Sequence, residues 1–166
     1  NNLKKVLFPC SGLVLERINF KVLTKLLQVN HASKICLLFN EQEIRYASAV
    51  QIENLKELIS LGVSIGLNEF AKDRCELNLL TEFEFDYLLL SSTFSKRVLQ
   101  QENYHLQLQG VLAITKLQNI QVIAKGPSIF NYRTLLEKHG LSLFIGKQRA
   151  LAPFDQVVPN AKSITS

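Results

Sequence analysis

Residues 54–70 read NLKELISLGVSIGLNEF, and the change of period inside this stretch decides the fold. Ahead of Gly62, apolar residues recur three and four apart, and Ile52, Leu55, Leu58 and Ile59 make one stripe of a helix. Ser48 and Gln51 stand at capping-box spacing before that stripe, and Gly62 sits where a left-handed residue closes a helix. From Val63 to Leu67 the apolar run is short and continuous, as in a strand covered on both faces. A polar pair, Asn68-Glu69, ends the run at the point where α/β proteins set catalytic carboxylates. The first of the two carries an amide.

The same alternation runs through the chain. Strands are expected at Val6–Cys10, Lys34–Phe39, Val63–Leu67, Tyr87–Leu90, Ile120–Ala124 and Leu143–Ile145. Between them lie helical stripes: Phe20, Leu23, Leu26 and Leu27 behind an Asn19 cap, then Leu108, Val111, Leu112 and Thr115. A last helix is expected from a Ser128 cap through Leu135 and Leu136 to Gly140, and Leu77–Phe83 suits a short helical turn. Strand and helix in alternation predict parallel βα units, in a doubly wound open sheet or a (β/α) barrel. No G-x-G-x-x-G and no Walker loop follows the first strands, which weighs against a nucleotide-binding open sheet.

A length of 166 residues suits a single core, and 47% apolar against 20% charged residues excludes a disordered chain. No apolar run approaches the roughly 18 residues of a membrane span, and the opening segment is too short in apolar residues for a signal peptide, so a cytoplasmic location is expected. Cys10, Cys36 and Cys75 are odd in number and irregular in spacing, which supports neither a disulfide framework nor a zinc site. The net charge of +5 permits an anionic partner without requiring one.

Several segments, taken in order, resemble the C-terminal two-thirds of an EAL domain, the family of cyclic di-GMP phosphodiesterases. Residues 54–70 look like its helix-Gly-strand unit ending in D-D-F-G, and FDYLLLSSTF (85–94) looks like its D-x-x-K-I-D-x-x-F strand. ICLLFNEQE (35–43) resembles the E-I-T-E strand, VIAKGPSIFNYRTLLEKHG (122–140) the V-V-A-E-G-V-E strand and its helix, and LFIGKQRALAPF (143–154) the final Q-G-Y-x-F-x-x-P stretch. The resemblance implies an α/β fold of the (β/α)8 TIM-barrel-like EAL type over residues 1–158, with 159–166 as a flexible tail. The family's first strands have no counterpart, and a complete barrel takes about 250 residues. An incomplete barrel leaves sheet edges to cover, so a missing N-terminal segment or an oligomer is expected to supply the rest.

The resemblance also implies a site. Active members hold Mg²⁺ or Mn²⁺ through carboxylates and an asparagine at the strand ends. Aligned onto those ligand and motif positions, this chain carries Pro9, Leu38, Asn68, Glu69, Leu89, Ser91, Lys125, Ser128 and Ile145. Glu41 and Gly126 survive, in roles that hold loops. Hard cations need several anionic oxygens, and Glu69 is the one aligned acid among these ligands. Metal-dependent hydrolysis is therefore not expected, and no cofactor is implied.

Lys72, Arg74, Lys125, Lys147 and Arg149 would lie near the strand ends on the same alignment, as candidate contacts for an anion or a partner or as ordinary solvated side chains. His31, His105 and His139 lie far apart in sequence, and Ser91-Ser92 lacks a nucleophile elbow. The leading expectation is a catalytically inactive regulatory module of bacterial signalling that binds a protein partner. Its rivals are a non-hydrolysing cyclic di-GMP sensor and an RNA-turnover regulator of the degenerate EAL type.

Overall fold

The computed structural model describes residues 5–19, 22, 25, 32–126 and 133–146. Six strands are described: β1 (Val6–Pro9), β2 (Ile35–Asn40), β3 (Ser64–Phe70), β4 (Tyr87–Leu90), β5 (Gln121–Lys125) and β6 (Leu143–Ile145). All pair in parallel, in the order β1-β2-β3-β4-β5-β6. Each strand therefore neighbours the next one in sequence. A doubly wound sheet reverses its order at a switch point, whereas repeated crossovers of one hand carry every connection to the same face. The result is a curled half-barrel, and the barrel reading of the sequence is the one that holds.

The helices are α1 (Gly12–Arg17), α2 (Glu41–Arg45), α3 (Ala49–Ser60), α4 (Leu79–Glu82), α5 (Ser92–Gln100), α6 (Glu102–Leu117) and α7 (Arg133–Lys138). The stripe in α3 buries Leu55 and Leu58. Its capping box forms in both directions between Ser48 and Gln51, and Gly62 closes it at φ 84°. In α6, Leu108, Val111 and Thr115 are buried. Asn19 Oδ1 accepts from the Val22 amide at 3.3 Å, but the stripe of Phe20, Leu23, Leu26 and Leu27 lies outside the described residues. Helices α1, α2 and α5 were not anticipated. Helices α2 and α5 start directly at a strand end, with Asn40 and Ser91 as their caps; α2 is too short to show a stripe, whereas α5 buries Phe94 and Val98 one turn apart on one face.

Alternation along the strands divides the interior in two. Phe39, Ile65, Leu67, Leu88, Leu90 and Ala124 face the helices in the main core. Cys36, Leu38, Leu89 and Ile123 form a second, smaller cluster on the inner, concave face. Gly66 lies on that face because nothing larger fits: a Cβ there would stand 2.7 Å from Leu38 Cδ2 and 2.9 Å from the Tyr87 carbonyl oxygen.

Candidate functional site

The carboxyl ends of the strands form a mouth above the inner apolar cluster, and the geometry of β3 governs it. Leu67 pairs with Leu88 and Phe70 with Leu90, so β3 carries one more residue than β4 over this interval. Glu69 takes up that excess in the left-handed region at φ 56°, and Ala71 follows at φ 58°. A regular strand sends consecutive side chains to opposite faces. The bulge lets both Asn68 and Glu69 reach one group, the ammonium of Lys125 at the end of β5. Lys125 donates to Asn68 Oδ1 at 3.3 Å and forms an ion pair with Glu69. Asn68 Nδ2 donates in turn to Asn40 Oδ1, also at 3.3 Å, which carries the network to β2.

The other aligned positions surround this network. Leu38 and Leu89 are buried in the inner cluster, and Pro9 and Ile145 are exposed on the edge strands β1 and β6. Ser91 is fully buried; its Oγ accepts from the Phe94 amide at 3.0 Å and so caps α5. Ser128, Lys147 and Arg149 lie outside the described residues.

The loop after β3 is fastened from beneath. Glu41 Oε2 accepts from the buried Ala71 amide at 3.0 Å, and Glu41 Oε1 pairs with Arg45 at 2.6 Å, one turn along α2. Arg45 Nε stands 2.8 Å from Glu76 Oε2, an ion pair without hydrogen-bond alignment. Burial pushes the Glu41 carboxyl above its ordinary pKa, although the Ala71 amide and Arg45 both act to lower it. The expected loop-holding role of Glu41 has this physical form. Arg45 and Glu76, thirty-one positions apart, gave no sequence signal that they would meet.

Lys72 and Arg74 are exposed on this loop and line a cleft of about 110 Å³ with Asn40, Gln42, Arg45, Glu69 and Asp73. Asp73 accepts from Gln42 Nε2 at 3.1 Å. Neither Lys72 nor Arg74 has an ion-pair partner among the described residues. The fold thus brings Lys72, Arg74 and Lys125 to one end of the sheet, with Lys125 already engaged by Glu69. Among the described residues, no three His, Cys, Asp or Glu side chains converge as metal ligands would. No helix among them is long and apolar enough to cross a membrane.

Solved structures share this architecture. BlrP1 of Klebsiella pneumoniae, in a manganese and cyclic di-GMP complex, aligns over 87% of this chain with a TM-score of 0.78 and 17% identity. The EAL enzyme Bd1971, bound to cAMP and cyclic di-GMP, aligns over 86% with a TM-score of 0.72 and 21% identity. The EAL domain of DcpA from Mycobacterium smegmatis aligns over 86% with a TM-score of 0.72 and 18% identity. The chain spans 38% of the length of BlrP1 and of Bd1971, and 65% of that of DcpA. No curated protein matches it. The family pattern of the EAL domain does match, over residues 15–144, which is most of the chain. With six parallel strands in sequential order and a polar mouth at their carboxyl ends, this chain belongs to the EAL domain family.

Proposed function

We propose that this chain is an EAL-family module that has given up metal-dependent phosphodiester hydrolysis and acts in bacterial signalling, in the cytoplasm, by binding a protein partner. The observation that carries the reading is the contact of the Lys125 ammonium with Glu69 and Asn68. A pair of hard divalent ions needs several anionic oxygens to offset both their dehydration and their mutual repulsion. Here the one acid among the aligned ligand positions is neutralised by a fixed cation, Asn68 offers a neutral oxygen, and Leu38 and Leu89 offer hydrocarbon. These residues do not fit a metal pair. A packed core is nonetheless retained around the mouth, which fits a fold kept for its surface.

The test is release of product from cyclic di-GMP in Mn²⁺ or Mg²⁺. No turnover above background is expected. Turnover that Glu69→Gln abolishes would overturn the proposal. A partner bound by the wild type and lost in the Lys72→Glu/Arg74→Glu double variant would identify the working surface.

A second reading, a non-hydrolysing cyclic di-GMP sensor, draws on the cleft beside Lys72 and Arg74, whose charges have no ion-pair partner among the described residues. Against it, a phosphate approaching Lys125 competes with Glu69 for the ammonium. Calorimetry with the dinucleotide separates the two readings, since the protein-binding module gives no heat and the sensor gives a saturating isotherm.

A further inference from the structure

Helix α6 carries two apolar faces. The inner one buries Leu108, Val111 and Thr115. On the opposite side Leu106, Gly110, Ala113 and Leu117 follow at steps of four, three and four, which keep them on one line of a helix. Leu106 is 68% exposed and Leu117 82%, while Ala113 is exposed and Gly110 half-buried. A single surface leucine is ordinary, but two that end one line with only small residues between them form a patch. We propose that this outer face of α6 is a homodimer interface, on which two copies of the chain pack their α6 helices antiparallel across a two-fold axis.

The symmetry of the line identifies the occupant. In a two-fold contact, a residue that meets another on the partner is met by its own equivalent in return, so the pattern has to match its own reversal. Leu106 and Leu117 are equidistant from the midpoint between Val111 and Leu112, and so are Gly110 and Ala113. In the antiparallel pair Leu106 therefore meets Leu117 of the partner subunit. Gly110 meets Ala113 of the partner subunit at the centre, where small side chains let the helix axes approach to about 8 Å. Charge selects the same direction. Glu102 in the first turn and Lys116 in the last lie on one flank of the line, so antiparallel packing turns acid towards base and opposes the helix dipoles, whereas parallel packing sets like charges together.

Leu77 borders the line at Gly110, with its Cδ1 3.6 Å from where a Cβ would stand, and widens the apolar area. A sixteen-residue helix is about 24 Å long and about 10 Å wide, so this face falls short of the about 800 Å² per partner of a standard interface. The dimer is accordingly reversible and not obligate. Helix α6 leads into β5 and, as the crossover between two parallel strands, runs opposite to them. A two-fold axis perpendicular to α6 then points the two mouths in opposite directions and leaves both open to a partner. This inference does not depend on the reading of the mouth as inactive.

The experiment is sedimentation equilibrium from low to high micromolar chain with the thiols kept reduced. A monomer–dimer equilibrium is expected for the wild type, with association at least tenfold weaker in Leu106→Glu and in Leu117→Glu. Their melting temperatures at low concentration are expected to match the wild type, because both side chains are exposed. Disulfide cross-linking reads the direction of packing. In a Cys10→Ser/Cys75→Ser background, Leu106→Cys mixed with Leu117→Cys is expected to give a covalent dimer on mild oxidation. Neither variant alone is expected to do so, since like positions lie about 16 Å apart along antiparallel helices, beyond the reach of a disulfide. A wild type that stays monomeric throughout, a dimer that both glutamate variants leave intact, or cross-linking of Leu106→Cys with itself overturns the inference.

Discussion

Lys125 on β5 reaches across the end of β4 to Asn68 on β3, with 3.3 Å between Nζ and Oδ1. One ammonium thereby bridges strands that are not neighbours in the sheet and also satisfies Glu69. If this cation is what makes the mouth unfit for metal, reversing its sign should change the outcome. Lys125→Glu sets a second carboxylate beside Glu69 and Asn68, and Mn²⁺ affinity is expected to rise at least tenfold over the wild type by titration. Lys125→Met is expected to cost only about 0–1 kcal/mol of stability in a denaturant melt, because both partners are partly exposed.

Glu41 is a different case, since its carboxylate is buried and holds the loop that follows β3. Glu41→Ala leaves the Ala71 amide without its acceptor and Arg45 without its partner on α2, a loss of about 3 kcal/mol. Protease cleavage within residues 71–76 is expected to accelerate in this variant, and to accelerate less in Arg45→Ala. Equal resistance of wild type and Glu41→Ala would show that the loop is held by other contacts.

At Gly66 the inner face tolerates no side chain. Gly66→Ala presses a methyl group against Leu38 and against the backbone oxygen of Tyr87, and the backbone cannot yield as a side chain can. Destabilisation of about 1–3 kcal/mol is expected from the shift in denaturation midpoint. Leu38→Ala in the same chain should recover part of it, by relieving the closer of the two contacts.

Cys36 is fully buried on the inner face, and burial, followed by the charge of Asp86, pushes its thiol up to about 12 from an ordinary 9.0. The folded state then keeps its proton where the unfolded chain releases it. The thiol's contribution to stability is fully present below pH 9 and is lost as the pH rises towards 12. Cys36→Ala is expected to flatten that part of the pH profile. Alkylation followed by mass spectrometry should find Cys36 the slowest of the three cysteines, behind the half-buried Cys10 and Cys75.

Much of this fold was legible because its signals are local. Continuous apolar runs marked all six strands to within a residue or so, apart from β3, which extends to Phe70. Ser48, Gln51 and Gly62 bracketed α3 correctly because a cap depends only on its own turn. What escaped was conformational or long-range. Glu69 and Ala71 adopt positive φ without glycine or asparagine to announce it, so the bulge and the two-residue turn of Asn68 and Glu69 towards Lys125 could not be foreseen. The pairing of Lys125 with Glu69 depends on strand order and register, which no spacing within the sequence encodes. The resemblance brought these positions to one mouth; the bulge in β3 makes them touch.

The sequential strand order has a kinetic consequence. Among the described strands, each hydrogen-bonded pair closes a single connecting segment, so every such pairing carries a modest entropic penalty. Assembly can therefore spread outward from whichever βα unit forms first, with β3 and its capped helix α3 well equipped to be the seed.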